Sequence, residues 1–148
     1  MQRPQDNLKI TSISPCETGT KLQLPLFLSR VRAGFPSPAD DYLDKKLDLN
    51  EHLIQHPAAT FFVKVKGDSM INAGIQSGDI LIVDRSLEPR DKRIVVAILN
   101  GEFTVKRIQK KNNKLYLVPE NDAFPPMEIT PAMDFEIWGV VIHVIHSV

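Results

Sequence analysis

A mainly β protein, compact and strand-rich, with one or two short helices and an extended N-terminal arm, is the fold class this sequence predicts. Three observations predict it. After residue 60, β-branched and aromatic runs follow one another, separated by short turns. Between two of these runs, Asn100-Gly101 is a strong hairpin signal, because both residues tolerate the left-handed backbone of a tight two-residue turn. Five prolines before residue 40 (Pro4, Pro15, Pro25, Pro36 and Pro38) interrupt any helix in the front end.

Taken in order, residues 1–38 read as an arm. Its apolar pieces, Lys21-Leu22-Gln23-Leu24 and Leu26-Phe27-Leu28, suit short strands paired on another surface. Asp48 is a good helix N-cap, with Glu51 three residues on as in a capping box. Leu49, Leu53 and Ile54 make one apolar face before Pro57 ends the helix. The predicted strands are 60–66, 79–84, 93–99, 102–110, 114–119 and 136–145, with a second turn at Asn112-Asn113 and breaks at Gly74, Gly78 and Pro89. Runs of strands with short turns and one helix make a mainly β domain.

The chain has 148 residues, enough for one domain burying roughly 70% of its unfolded surface. Its 43% hydrophobic and 24% charged content is that of an ordinary soluble protein. Net charge is zero but unevenly placed: residues 1–32 hold five Lys/Arg against two Asp/Glu (+3), and residues 33–148 hold thirteen against sixteen (−3). An excess of three is too weak to argue nucleic-acid binding, so a solvated tail is the simpler reading. The single Cys16 excludes an internal disulfide framework and fits a reducing compartment. With no secretory leader and no apolar run near the ~20 residues that span a bilayer, a cytoplasmic location is expected.

Two segments carry chemistry. Val65-Lys66-Gly67-Asp68-Ser69-Met70 ends a strand-like run, turns at a glycine and presents a serine at the strand tip. Gly101-Glu102-Phe103-Thr104-Val105-Lys106-Arg107 is a strand in which Thr104, Lys106 and Ile108 share one face and Phe103, Val105 and Arg107 the other. A serine on a turn and a lysine on a strand can form a dyad, with the serine as nucleophile and a neutral lysine as its base. Gly67 lets the backbone take a conformation in which N–H groups of Asp68 and Ser69 can form an oxyanion hole. Each segment also has an ordinary reading: Gly-Asp-Ser is a common turn, and a strand lysine normally faces water. A third segment, Arg32-Ala33-Gly34-Phe35-Pro36-Ser37-Pro38, reads as a cleavable linker, its prolines biasing Phe35 and Ser37 to extended backbone.

Together these segments resemble the self-cleaving LexA/UmuD family of the SOS response. The blocks Phe35-Pro36-Ser37-Pro38-Ala39, Leu53-Ile54-Gln55-His56-Pro57, Gly67-Asp68-Ser69-Met70-Ile71, Leu81-Ile82-Val83-Asp84 and Gly139-Val140-Val141-Ile142-His143-Val144 carry the resemblance, which runs from about Leu24 to the C-terminus. It implies a serine endopeptidase with Ser69 and Lys106 as catalytic dyad and Ala33-Gly34 as its own cleavage site. The arm 1–33 would be removed, leaving residues 34–148 as peptidase and polymerase-accessory domain. Ala33 is the residue the repressors carry there, whereas the UmuD branch is best known with cysteine; either suits a narrow pocket. Further implied are a homodimer, a UmuC-like Y-family DNA polymerase as partner in translesion synthesis, and cleavage stimulated by a RecA filament on single-stranded DNA.

Such a site must make lysine neutral. At an ordinary pKa of ~10.4 this costs roughly 4.6 kcal/mol at pH 7, and burial against apolar side chains removes much of it. Closure of the cleavage segment over Lys106 is one source of that burial. The alternative is a LexA or phage-type transcriptional repressor, which shares the peptidase domain. It needs a helix-turn-helix module of about 60 residues ahead of the linker, and only 33 proline-broken residues precede Gly34. Bacterial signal peptidases use a similar pair but are membrane-anchored, and no anchor is read here. His52 and His56 share a helix face without a third ligand, His143 and His146 are read as pointing to opposite strand faces, and no carboxylate cluster appears. No metal and no cofactor are expected.

Overall fold

β-Branched and aromatic residues bounded by turn residues become strands in the computed structural model, which describes residues 8–16, 23–27 and 43–148. The strands are β1 (Lys9–Pro15), β2 (Gln23–Phe27), β3 (Leu43–Asp48), β4 (Thr60–Lys66), β5 (Ile80–Asp84), β6 (Ile94–Leu99), β7 (Glu102–Lys111), β8 (Lys114–Val118), β9 (Met127–Ile129) and β10 (Phe135–Ile145). Among the described residues there is one α-helix, α1 (Leu49–Leu53), with two 3-10 turns at Pro57–Ala59 and Ile71–Ala73. α1 follows the Asp48 expected to start it but ends at Leu53, short of the expected stop at Pro57. Two compact units result, one from residues 8–16 with 58–148 and one within 17–57.

In the first unit all strands join one curled antiparallel sheet in the order β1-β4-β5-β10-β6-β7-β8-β9. Alternation is clean on β4, where Val63 and Val65 are buried and Lys64 and Lys66 exposed. The central strands β5 and β6 instead bury consecutive residues, Leu81-Ile82-Val83-Asp84 and Val95-Val96-Ala97, because both their faces are covered. Two apolar clusters do the covering. One joins Leu8, Val63, Val65, Met70, Ile75, Leu81, Val83, Val96, Val105 and Val141, and the other Val95, Ala97, Ile108, Leu117 and Val140. Both predicted hairpin turns have two left-handed central residues, Asn100 and Gly101 (φ 50° and 82°) and Asn112 and Asn113 (φ 52° and 58°).

Three strands were not expected. β1 pairs antiparallel with β4, with Lys9 opposite Lys66 and Pro15 opposite Phe61, so this part of the arm belongs to the sheet. β9 adds three residues beside β8. In the second unit β2 pairs with β3, Gln23 opposite Asp48 and Phe27 opposite Leu43. Of the apolar arm pieces, Lys21, Leu22 and Leu28 lie outside the described residues. Among the described residues no helix is long and apolar enough to cross a membrane.

Gly139 shows how tightly β10 sits on β5. A Cβ at this position would meet Val83 Cγ1 at 2.6 Å and Arg85 Cγ at 3.3 Å. Gly139→Ala is therefore expected to destabilise the domain by about 1–3 kcal/mol through overpacking, read as a lowered Tm or denaturation midpoint. An unchanged midpoint would mean that β10 has room to shift.

Candidate active site

β4 delivers the chain to Gly67, whose φ of 113° is open to glycine but strained for other residues. The backbone then leaves the sheet and places Asp68 and Ser69 in a turn held from several sides. Gly67 N–H donates to Ser77 Oγ (3.1 Å), Gly78 N–H to the Val65 carbonyl (2.8 Å) and Ile71 N–H to the Asp68 carbonyl (3.2 Å). A strap from the far edge of the sheet completes the clamp. Asn121 Nδ2 donates to the Asp68 carbonyl (2.8 Å), Asn72 N–H to the Glu120 carbonyl (2.8 Å), and Met70 Sδ accepts Glu120 N–H. A turn fixed this way keeps its geometry without reorganisation.

Lys106 comes from β7, opposite Val95 of β6. Its Nζ lies 3.3 Å from Ser69 Oγ, 3.1 Å from Thr104 Oγ1 and 3.1 Å from the Val105 carbonyl. The two residues singled out from the sequence therefore meet, although 37 positions separate them. Burial lowers the Lys106 pKa from its ordinary 10.5 to about 8, because an ammonium ion loses its water there. At pH 7 that raises the neutral fraction roughly 300-fold. Lys106 opens onto a cleft of about 370 Å³, lined by apolar Leu8, Leu99, Phe103, Leu117 and Phe124 among others.

Asp68 is half-buried, and its Oδ1 is buried with no hydrogen-bond partner among the described residues. Ser69 is fully buried, and its Oγ accepts the N–H of Leu8 at 3.0 Å. Ala33 and Gly34 lie outside the described residues. Among the described residues no group of three or more His, Cys, Asp or Glu side chains could hold a metal ion. His146 has a structural partner, its Nδ1 2.6 Å from Oδ1 of buried Asp79, whose Oδ2 accepts the Gln76 N–H.

Sequence reasoning missed Thr104, Asn121 and Leu8. Only Thr104 had a local signal, as the strand neighbour sharing the Lys106 face. Thr104→Val keeps the shape and removes the hydroxyl that positions Nζ. If Lys106 is the base, self-cleavage should slow about fivefold, the loss of one hydrogen bond of ~1 kcal/mol. A cleavage time course at pH 8 measures this, and an unchanged rate would leave Thr104 a packing role only.

A serine hydroxyl against a desolvated lysine beside an apolar cleft is an arrangement that suits a serine peptidase with a lysine base. Comparison with known proteins gives the particular family. A peptidase S24-like family model matches residues 25–142. Protein SamA of Salmonella typhimurium is 45% identical over 135 residues, 91% of this chain and 94% of that protein. Protein ImpA of Escherichia coli is 48% identical over 122 residues, 82% and 83% of the two chains. The LexA repressor of Glaesserella parasuis is 39% identical over 125 residues, 84% of this chain but 59% of the repressor. The chain belongs to the S24-like peptidase family, as a UmuD-like member of its LexA/UmuD group of SOS-response proteins.

Proposed function

We propose that this chain cuts its own Ala33–Gly34 bond, with Ser69 as nucleophile and neutral Lys106 as general base. The observation that carries this is the 3.3 Å approach of Lys106 Nζ to Ser69 Oγ, with the lysine pKa lowered to about 8 by burial. Lys106 takes the hydroxyl proton as Oγ attacks the Ala33 carbonyl carbon. The N–H groups of Asp68 and Ser69 stabilise the oxyanion. Collapse breaks the Ala33–Gly34 bond, and the Lys106 ammonium returns its proton to the Gly34 amine. Water, deprotonated by Lys106, then hydrolyses the acyl-serine.

The product beginning at Gly34 acts as a homodimer with a UmuC-like Y-family polymerase in error-prone synthesis across lesions, and a RecA filament stimulates its formation. What supports this rather than the repressor reading is similarity: 45% and 48% identity to SamA and ImpA, over more than four-fifths of both chains, against 39% to the longer repressor. Incubation with a RecA–nucleotide–single-stranded DNA filament, followed by intact mass measurement, tests the processing step. The expected result is one new pair of masses, for residues 1–33 and 34–148. A stable intact chain, or a cut elsewhere, overturns the proposal.

A further inference from the structure

The nucleophile is already engaged. β1 runs antiparallel along β4, the strand that leads into the serine turn, so its N-terminal end arrives where β4 ends. There Leu8, 1% exposed, packs in the cluster that contains Met70 and Val105 and also lines the cleft beside Lys106. Its backbone N–H donates to Ser69 Oγ. We propose that the outer edge of β4 and the Ser69 cleft form a strand-binding surface whose resident occupant is residues 8–15 of this chain, held there as a latch against cleavage. This rests on the Ser69–Lys106 reading and adds a regulation to it.

Two features make the contact inhibitory. Peptidase clefts take substrates in extended form, and β1 adds to the β4 edge in that way. It presents the wrong group, however. An amide N–H is no electrophile, so Ser69 has nothing to attack, and the donated hydrogen bond stabilises the lone-pair density that attack would use. The Leu8 side chain also occupies cleft wall, and a scissile carbonyl reaches Oγ only after Leu8 withdraws. Ile10 and Ile13, packed partly against the core, hold the latch in place, while the register slip between Ile10 and Ser12 interrupts the ladder next to Leu8. The end that blocks the serine can therefore lift without detaching the whole strand.

The test locks and unlocks the latch in the full chain. Lys9 and Lys66 are exposed register partners on β1 and β4, on the Leu8 side of the register slip. Lys9→Cys with Lys66→Cys, in a Cys16→Ser background, allows a reversible disulfide between the strands. At pH 8 the oxidised form should cleave at least tenfold more slowly than the reduced form, with recovery on adding dithiothreitol. Leu8→Pro removes the N–H donor, and should cleave at least fivefold faster than Leu8→Ala, which retains it. Equal rates for the oxidised and reduced forms overturn the latch even if the chain cleaves at Ala33–Gly34 as proposed. If no form cleaves, with or without a RecA filament, the peptidase reading fails and the latch against cleavage fails with it, and the Leu8 amide decides only whether residues 8–15 occupy the Ser69 cleft. Exchange at least threefold slower in the native chain than in Ser69→Ala supports that occupancy, and equal exchange overturns it.

Discussion

Ser69→Ala and Lys106→Ala are each expected to reduce self-cleavage by at least about 10³-fold, below detection over hours, because in the proposed dyad each removes one half of a unit that works only together. The Ser69 substitution is structurally mild, since it removes a single buried oxygen whose partners are Leu8 N–H and Lys106 Nζ. Lys106→Arg discriminates further. A guanidinium keeps a similar length and charge but cannot shed its proton near neutrality, so this variant is as inactive as Lys106→Ala if the lysine acts as a base. The double substitution costs no more than either single one. Intact masses after incubation at pH 8 read all four variants, and efficient cutting by any of them removes the dyad.

With Lys106 as the proposed base, spontaneous cleavage is expected to rise steeply with pH and then level off. The sign follows from the reactive form. A base must be neutral, and burial brings the Lys106 pKa down to about 8. Below that value the neutral fraction grows nearly tenfold per pH unit, so the rate increases roughly 50-fold between pH 6 and 8. Between pH 8 and 10 only about a twofold gain remains. A histidine base, titrating near ~6.5, would be flat by pH 7.5, and an unperturbed lysine would still be climbing tenfold per unit at pH 9. Initial rates across pH 6–10 separate the three, with thermal melts at each pH to exclude unfolding. Thr104→Val is expected to lower this curve, and Leu8→Pro to lie above Leu8→Ala across it.

Much of the fold was legible because its signals are local. β4 has the predicted bounds, and β5, β6, β7, β8 and β10 differ from theirs by one residue at an end. The two turns at Asn100 and Asn112 follow from side chains that tolerate positive φ. The helix began where Asp48 could cap it. β1, β3 and β9 were not legible. Lys9–Pro15 and Leu43–Asp48 carry too few apolar residues to announce a strand, and β9 has only three residues. They exist because an edge elsewhere offers its hydrogen bonds, a cause lying outside their own sequence.

The site divides in the same way. By itself the sequence determined the chemical types at hand: a serine behind a glycine turn, a lysine on a strand with Thr104 and Ile108 on its face, and a small-residue linker upstream. Only the tertiary structure decided that Ser69 and Lys106 touch, that burial brings the lysine pKa down to about 8, and that Leu8, 61 positions before the serine, donates to its hydroxyl. Residue type and turn propensity are properties of a few neighbours along the chain. Desolvation and hydrogen-bond approach depend on which distant strands are brought together, and in an antiparallel sheet that is settled by pairing across the whole domain.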